Sequence, residues 1–258
     1  MLEINRDLMD RLVSVCRRAG DVILEVYESD FDVDGKVDGS PVTEADRRAE
    51  AIILPVLAEI APEIPAIAEE SVSAGIIPDI TGNRFWLIDP LDGTKEFIKK
   101  NGDFTVNIGL IEDRTPIAGV VYRPVSDTFW VGARGLGAWR IEAGKETTLQ
   151  VRDADPVGGL TVIASSSHRS AELERYIESL PKVRNSISRG SSLKFCLIAE
   201  GTADIYPRIG PTMEWDTAAG QAVVEAAGGS VEAYEGGPFR YQKPNFRNGY
   251  FIVKGGCL

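Results

Sequence analysis

The segment FWLIDPLDGTKEF, residues 85–97, decides how the rest of the chain is read. Phe85 to Ile88 form an unbroken apolar run, the pattern of a strand buried on both faces. Asp89 ends that run, where an unpaired charge costs several kcal/mol. Three arrangements relieve such a cost: a bound cation, a basic partner, or a hydrogen bond within a turn. Pro90 is expected to fix a turn that ends the strand and carries Asp92 back beside Asp89. Two carboxylates that close repel each other, and sharing a divalent cation keeps both ionised. Gly93 and Thr94 precede KEFIKK, so their N–H groups are expected to open a helix and face an anion such as phosphate. The competing reading is a surface double turn made by Asp-Pro and Asp-Gly.

Working outward, the segments around this strand are also β in character. FTVNIGLI, IAGVVYRP, TFWVGARG and GAWRI follow it with Gly and Pro between them, which predicts a meandering, mostly antiparallel sheet. Upstream, apolar residues at three and four spacing predict two amphipathic helices, over 4–28 and 44–60, with Pro55 kinking or ending the second. Downstream of residue 158, strand-like segments alternate with helical ones near 170–179, 191–200 and 215–227, and the chain closes on the strand YFIVK. Such alternation predicts α/β layers. The polar, turn-rich stretch 143–158 marks a boundary between an α+β half, 1–150, and an α/β half, 151–258, with the active site between them.

Composition narrows the function classes. The 258 residues hold 28 Lys and Arg against 39 Asp and Glu, a net charge of −11 with no basic stretch. A nucleic-acid duplex or an anionic membrane surface is a poor partner for such a chain. Its length suffices to bury a core without disulfides or a structural metal. The three cysteines, Cys16, Cys196 and Cys257, form no CxxC pair and point to a reducing cytoplasm. No signal peptide and no run of 18 apolar residues occurs. His168 is the only histidine, which excludes HExxH and multi-histidine zinc sites; it is read as a surface or substrate-rim residue. There is no GxSxG elbow, no P-loop and no dinucleotide fingerprint.

Three further segments carry acids at strand ends or helix starts: Thr43 with Asp46, the pair Glu69-Glu70, and Asp216, whose bland role would be a helix N-cap. Together with Asp89 and Asp92 they form the kind of convergent oxygen-ligand set that suits a hard cation.

DGSPVTEAD, AEES, WLIDPLDGTKEF and WDTAAG, in this order, resemble the signature set of the inositol monophosphatase superfamily of magnesium-dependent, lithium-sensitive phosphatases. The resemblance spans nearly the whole chain and implies that family's layered sandwich of alternating α-β-α-β-α layers. KEFIKKNGDFTVNIGLI, GSSLKFCLIAEGTADIYPR and GPTMEWDTAAG look like the bisphosphate nucleotidase branch, whose members remove the 3'-phosphate of adenosine 3',5'-bisphosphate.

The resemblance implies roles for particular residues. Glu69, Asp89 and the Leu91 carbonyl match the ligands of a first Mg2+, and Asp89, Asp92 and Asp216 those of a second. Glu69 is preferred to Glu70 because it keeps the family's 20-residue spacing to Asp89. Thr94 and the Gly93 amide match groups that hold phosphate and orient water. Asp46 with Thr43 matches the loop that activates the water, in one version through a third, weaker Mg2+. Lys36 matches a mobile lysine near the phosphate. Lys194 and Arg208 are the candidates for the second phosphate, with a solvated helix residue as the bland reading of Lys194. Ser191 and Ser192 are candidate substrate contacts, with helix capping as theirs.

The expected activity is attack of metal-activated water on the 3'-phosphate, by a monomer or homodimer that is cytoplasmic, free or peripheral at the inner membrane. An inositol 1-phosphate or fructose 1,6-bisphosphate phosphatase is the rival on the same fold. A non-catalytic, Mg2+-dependent sensor of phosphorylated ligands is the rival from another class. The aspartyl-phosphate DxDGT motif fails because the spacing here is DxxDGT.

Overall fold

The computed structural model describes residues 2–35, 41–155, 157–164 and 170–257. Lys36 and His168 lie outside the described residues. The chain opens with α1 (Arg6–Glu28), the two-residue strands β1 (Asp34–Gly35) and β2 (Pro41–Val42), then α2 (Glu44–Ile60), β3 (Ala66–Ala68) and α3 (Glu69–Ser73). The decisive segment supplies β4 (Arg84–Asp92) and α4 (Thr94–Ile98). A meander follows: β5 (Thr105–Glu112), β6 (Thr115–Arg123), β7 (Thr128–Ala133), β8 (Gly137–Glu142) and β9 (Lys145–Leu149). The remainder is β10 (Leu160–Ala164), α5 (Ala171–Ser179), β11 (Val183–Ser188), α6 (Leu193–Ala199), β12 (Ile205–Arg208), α7 (Trp215–Ala226), β13 (Ser230–Ala233) and β14 (Phe251–Lys254).

β3 to β9 form a seven-stranded sheet in sequence order, parallel only between β3 and β4. A five-stranded sheet has the order β11-β10-β12-β14-β13. Along β4, successive side chains go to opposite faces. Trp86 and Ile88 join the core beneath α1 and α2, while Phe85 and Leu87 join the core shared with α6, α7 and the second sheet. A smaller core of Leu160, Val162, Ile205 and Ile252 lies under α5. The layers therefore run α1/α2, seven-stranded sheet, α6/α7, five-stranded sheet, α5.

A cross-strand row of glycines sets where α7 lies. Gly109, Gly119 and Gly132 pair with one another on β5, β6 and β7. A Cβ at each would fall 2.8 Å from Ala218 Cβ, 2.7 Å from the Ala219 carbonyl oxygen and 2.5 Å from Val223 Cα. The missing side chains let α7 rest directly on the sheet, and its first turn carries Asp216.

The structure narrows two expectations. Pro55 does not end α2, which continues to Ile60. Ala51, whose carbonyl would have accepted from residue 55, and Pro55 are both exposed, so water can meet the freed carbonyl while Ile53 and Leu57 hold the buried face. The polar stretch 143–158 contains β9, an edge strand whose Lys145 to Thr148 are exposed. Such a strand shows little of the alternation by which strands are recognised.

Candidate metal and phosphate site

β4 does not stop at Asp89. It continues through Pro90 to Asp92, with one extra residue relative to β5: Asp89 pairs with Asn107 and Asp92 with Thr105. Residues three apart on a regular strand face opposite ways, so this bulge puts Asp89 and Asp92 on one face. Pro90 is tolerated there because the ladder is broken. The buried Asp89 carboxylate accepts the Leu91 N–H at 3.0 Å. A bulge, rather than the expected turn, brings the two acids together.

Glu69 is the first residue of α3, and that helix is tied down by Glu50 of α2. The nearly buried Glu50 carboxylate accepts the N–H groups of Glu70 and Ser71, each at 2.9 Å, and the Ser71 hydroxyl at 2.5 Å. Asp216 stands in the first turn of α7, where its Oδ2 accepts the Met213 N–H at 2.8 Å. Carboxylate oxygens of Glu69, Asp89 and Asp216 all lie within 4.8 Å of one another. Burial, then the charges of Asp92 and Glu69, push the Asp216 carboxyl well above its usual range. An all-oxygen, mutually repelling donor set fits a hard divalent cation, which would relieve that repulsion.

Asp92 lies beside this trio and is held from behind. Its Oδ2 accepts the Ser192 hydroxyl at 2.7 Å and the Asn107 amide at 3.3 Å, and the same hydroxyl is 2.8 Å from the Asp216 carbonyl. Ser192, 1% exposed, lines neither cavity described below and makes no side-chain cap for α6. Its hydroxyl caps no helix and is hydrogen-bonded into the acid cluster instead.

Thr94 begins α4, a helix too short to persist alone. It is anchored by Phe97, which packs against Tyr27, Phe31 and Phe104 at centroid distances of 4.9 to 5.2 Å. Gly93 before it adopts φ 97°, and a Cβ there would lie 3.0 Å from the Asp103 carbonyl oxygen. The Thr94 hydroxyl is 3.3 Å from Asp46 Oδ1 and 3.4 Å from the Leu91 carbonyl. Asp46 Oδ2 accepts the Thr43 N–H at 2.8 Å and its hydroxyl at 2.7 Å. Asp46 thus serves a capping box with one oxygen and faces Thr94 with the other.

Two adjoining cavities of about 690 and 230 Å³ share Asp92, Gly93 and Asp216. The larger also meets Glu69, Asp89, Leu91 and Thr94. The smaller meets Ser191, Lys194 and Arg208. Lys194 is 6% exposed, so it is not a solvated helix residue. Its Nζ donates to the Ser191 carbonyl at 2.7 Å, and burial pulls its pKa down to about 8. Arg208 donates to the Pro211 carbonyl at 2.9 Å. Ser191 has φ 44°, and its hydroxyl is a long 3.5 Å from the Leu193 N–H.

Several residues at or behind the site escaped the sequence reading. Asn107 had a usable signal, as an amide inside the apolar run FTVNIGLI. Lys95 and Lys99 at the rim of the smaller cavity, and Asn245 and Arg247 beside the larger, carry no local signal, because only the fold brings them there.

A five-layer α/β sandwich whose acidic trio lines one cavity, beside a second that holds Lys194 and Arg208, is the arrangement of a metal-dependent phosphatase. Residues 5–250 match the Inositol monophosphatase family, and the chain belongs to it. The 3'(2'),5'-bisphosphate nucleotidase CysQ of Shigella flexneri is 47% identical over 249 residues, covering 95% of this chain and 99% of that one. The protein of the same name from Escherichia coli strain K12 is 46% identical over the same shares. The crystal structure of CysQ from Bacteroides thetaiotaomicron superposes with a TM-score of 0.82 at 37% identity, covering 98% of both chains.

Proposed function

We propose that this chain is a Mg2+-dependent 3'(2'),5'-bisphosphate nucleotidase. It hydrolyses the 3'-phosphate of adenosine 3',5'-bisphosphate, and of its sulfated relative, to leave the 5'-phosphorylated nucleoside and inorganic phosphate. The observation that carries this reading is the pair of adjoining cavities, one acidic and one holding Lys194 and Arg208, which suits a ligand with two phosphates. The CysQ relatives, similar over almost their full length, support the same choice.

Glu69, Asp89 and the Leu91 carbonyl would hold one Mg2+, and Asp89, Asp92 and Asp216 a second. Mg2+ bound there acidifies water and neutralises charge on the attacked phosphoryl group and the leaving oxygen. Thr94 orients the attacking water. With its hydroxyl proton directed at Asp46 Oδ1, the Thr94 oxygen is left to accept a hydrogen bond from that water. Asp46 is the acceptor to which the proton passes. The Gly93 N–H holds a phosphoryl oxygen in place. Water adds to phosphorus as the P–O3' bond breaks, and the leaving oxygen takes up a proton.

Lys194 and Arg208 bind the 5'-phosphate as point charge and planar fork, with Ser191 at its edge and Lys36 assigned to the 3'-phosphate. We read residues 1–150 and 151–258 as two tightly packed halves with the cleft between them, in a monomer or homodimer. Among the described residues no helix is long and apolar enough to cross a membrane. The three cysteines are free thiols, in keeping with a cytoplasmic setting.

The test is phosphate release, with Mg2+, from adenosine 3',5'-bisphosphate, inositol 1-phosphate and fructose 1,6-bisphosphate. Preference for the nucleotide is expected. Equal or faster release from the sugars overturns the substrate assignment, and Mg2+-dependent binding without release from any of them overturns the enzymatic one.

A further inference from the structure

The strap from Phe239 to Asn248 takes no part in the chemistry above, yet it gathers buried charge directly behind Asp216. Glu214, 0% exposed, is the residue from which α7 starts. Its carboxylate accepts the N–H groups of Gln242 and Lys243 at 3.0 and 2.8 Å, and Lys243 Nζ approaches it at 3.4 Å. Lys243 Nζ also donates to Asn248 Oδ1 at 3.0 Å and lies 4.1 Å from the Phe239 ring centroid. The Asn248 amide reaches the Met213 carbonyl at 2.6 Å and the hydroxyls of Thr212 and Thr217, both at 3.1 Å.

The backbones are joined as well. Glu214 N–H donates to the Phe246 carbonyl at 2.8 Å, and Asn248 N–H to the Thr212 carbonyl at 3.0 Å. Residues 212–214 belong to no helix or strand of their own; the strap fixes them. Met213, at their centre, supplies the N–H that holds Asp216 Oδ2 at 2.8 Å.

We propose that Glu214, Lys243 and Asn248 are positioning residues, a clamp that sets the Met213 N–H and so aims the Asp216 carboxylate at the other acids. Asp216 needs such aim because Asp92 and Glu69 repel it. A buried ion pair is weak evidence of stabilisation, since well-packed apolar residues often replace one at no loss. Its place here, one hydrogen bond behind a metal-ligand candidate, points to geometry. Groups that orient metal ligands typically account for 10- to 100-fold in metal affinity.

The inference rests on the reading that the acids hold Mg2+, and the test separates the two. Lys243→Met is expected to raise the Mg2+ midpoint about 10- to 100-fold. The midpoint is read both from phosphate release and from the Mg2+-induced rise in melting temperature. KM for the nucleotide at saturating Mg2+ stays within about twofold, and Lys243→Arg restores most of the midpoint. If Lys243→Met does not fold, Asn248→Ser carries the same expectation. Arg152→Met serves as the control: it removes the Arg152–Asp204 ion pair, at 2.7 Å, which lines neither cavity, and should lower melting temperature alone. Clamp variants that behave like this control, with an unmoved midpoint, overturn the clamp. A wild-type protein whose melting temperature ignores Mg2+ overturns the metal reading and the clamp with it.

Discussion

The two ends of the cleft are built in opposite ways. At the acidic end the carboxylates are braced from behind: Asp46 by Thr43, Asp89 by the Leu91 N–H, Asp92 by Ser192 and Asn107, and Asp216 by Met213, while Glu50 ties down the start of α3 that carries Glu69. At the basic end, Lys194 and Arg208 donate to the backbone carbonyls of Ser191 and Pro211, and among the described residues neither forms an ion pair. Charges of like sign must be held against their own repulsion, which takes many short-range donors. Cations meant for an incoming anion are better left without a carboxylate, because a resident partner would have to be displaced. On the proposed reading, bracing marks the end that would hold metal, and its absence the end that would meet substrate.

The sharpest way to break this contrast is at the bulge. Asp89→Asn keeps size and removes the charge the proposal assigns to both ions, so Mg2+-dependent phosphate release should fall at least about 10³-fold. A variant within tenfold of wild type would mean that the trio is not the reacting centre. The basic end should respond differently. Lys194→Met removes a charge-assisted contact of about 1.5–3 kcal/mol, so KM for adenosine 3',5'-bisphosphate should rise about 10- to 100-fold. Hydrolysis of a nucleoside 3'-monophosphate, which lacks the second phosphate, should change little. Equal losses on both substrates would move Lys194 into the chemistry.

Ser192 tests the line between the two ends. Its neighbour Ser191 borders the smaller cavity, while Ser192 hydrogen-bonds Asp92. Ser192→Ala should raise the Mg2+ midpoint about tenfold and leave KM nearly unchanged. A rise in KM alone would return Ser192 to the substrate side.

The same contrast explains what could be read before the fold was known. The acidic end was legible because it is local: Asp89 and Asp92 share one bulge, and Thr43 with Asp46 one helix start. That β4 continues to Asp92 was hidden, because a proline between two aspartates looks alike in a turn and in a bulge until β5 supplies the register. The contact of Ser192 with Asp92 was hidden because nothing local to a serine at a helix start points to a carboxylate 100 residues away in sequence. The strap was invisible for a related reason. Glu214 and Lys243 become a pair only after α7 has settled on the glycine row and the chain has returned past its first turn. The net charge of −11 bears on duplexes and membrane surfaces but not on the cleft, since the site inferred to bind an anion is lined by some of those acids.

The smallest effect expected is a pH dependence that should belong to the basic end alone. Burial holds Lys194 at about 8, down from 10.5. Its ammonium is therefore present below that pH and lost above it. Because kcat/KM reports groups of the free enzyme, kcat/KM for the bisphosphate should fall about fivefold between pH 8 and 9, with kcat nearly flat. The same shift acts on stability with the opposite sign. Between about pH 8 and 10.5 the folded chain binds fewer protons at Lys194 than the unfolded chain, so this residue's contribution to stability grows as pH rises. Alkaline unfolding would lower activity and stability together, whereas titration of Lys194 lowers activity while its own contribution to stability increases. Lys194→Met should abolish the fall in kcat/KM; a variant that keeps it assigns the titration to another group.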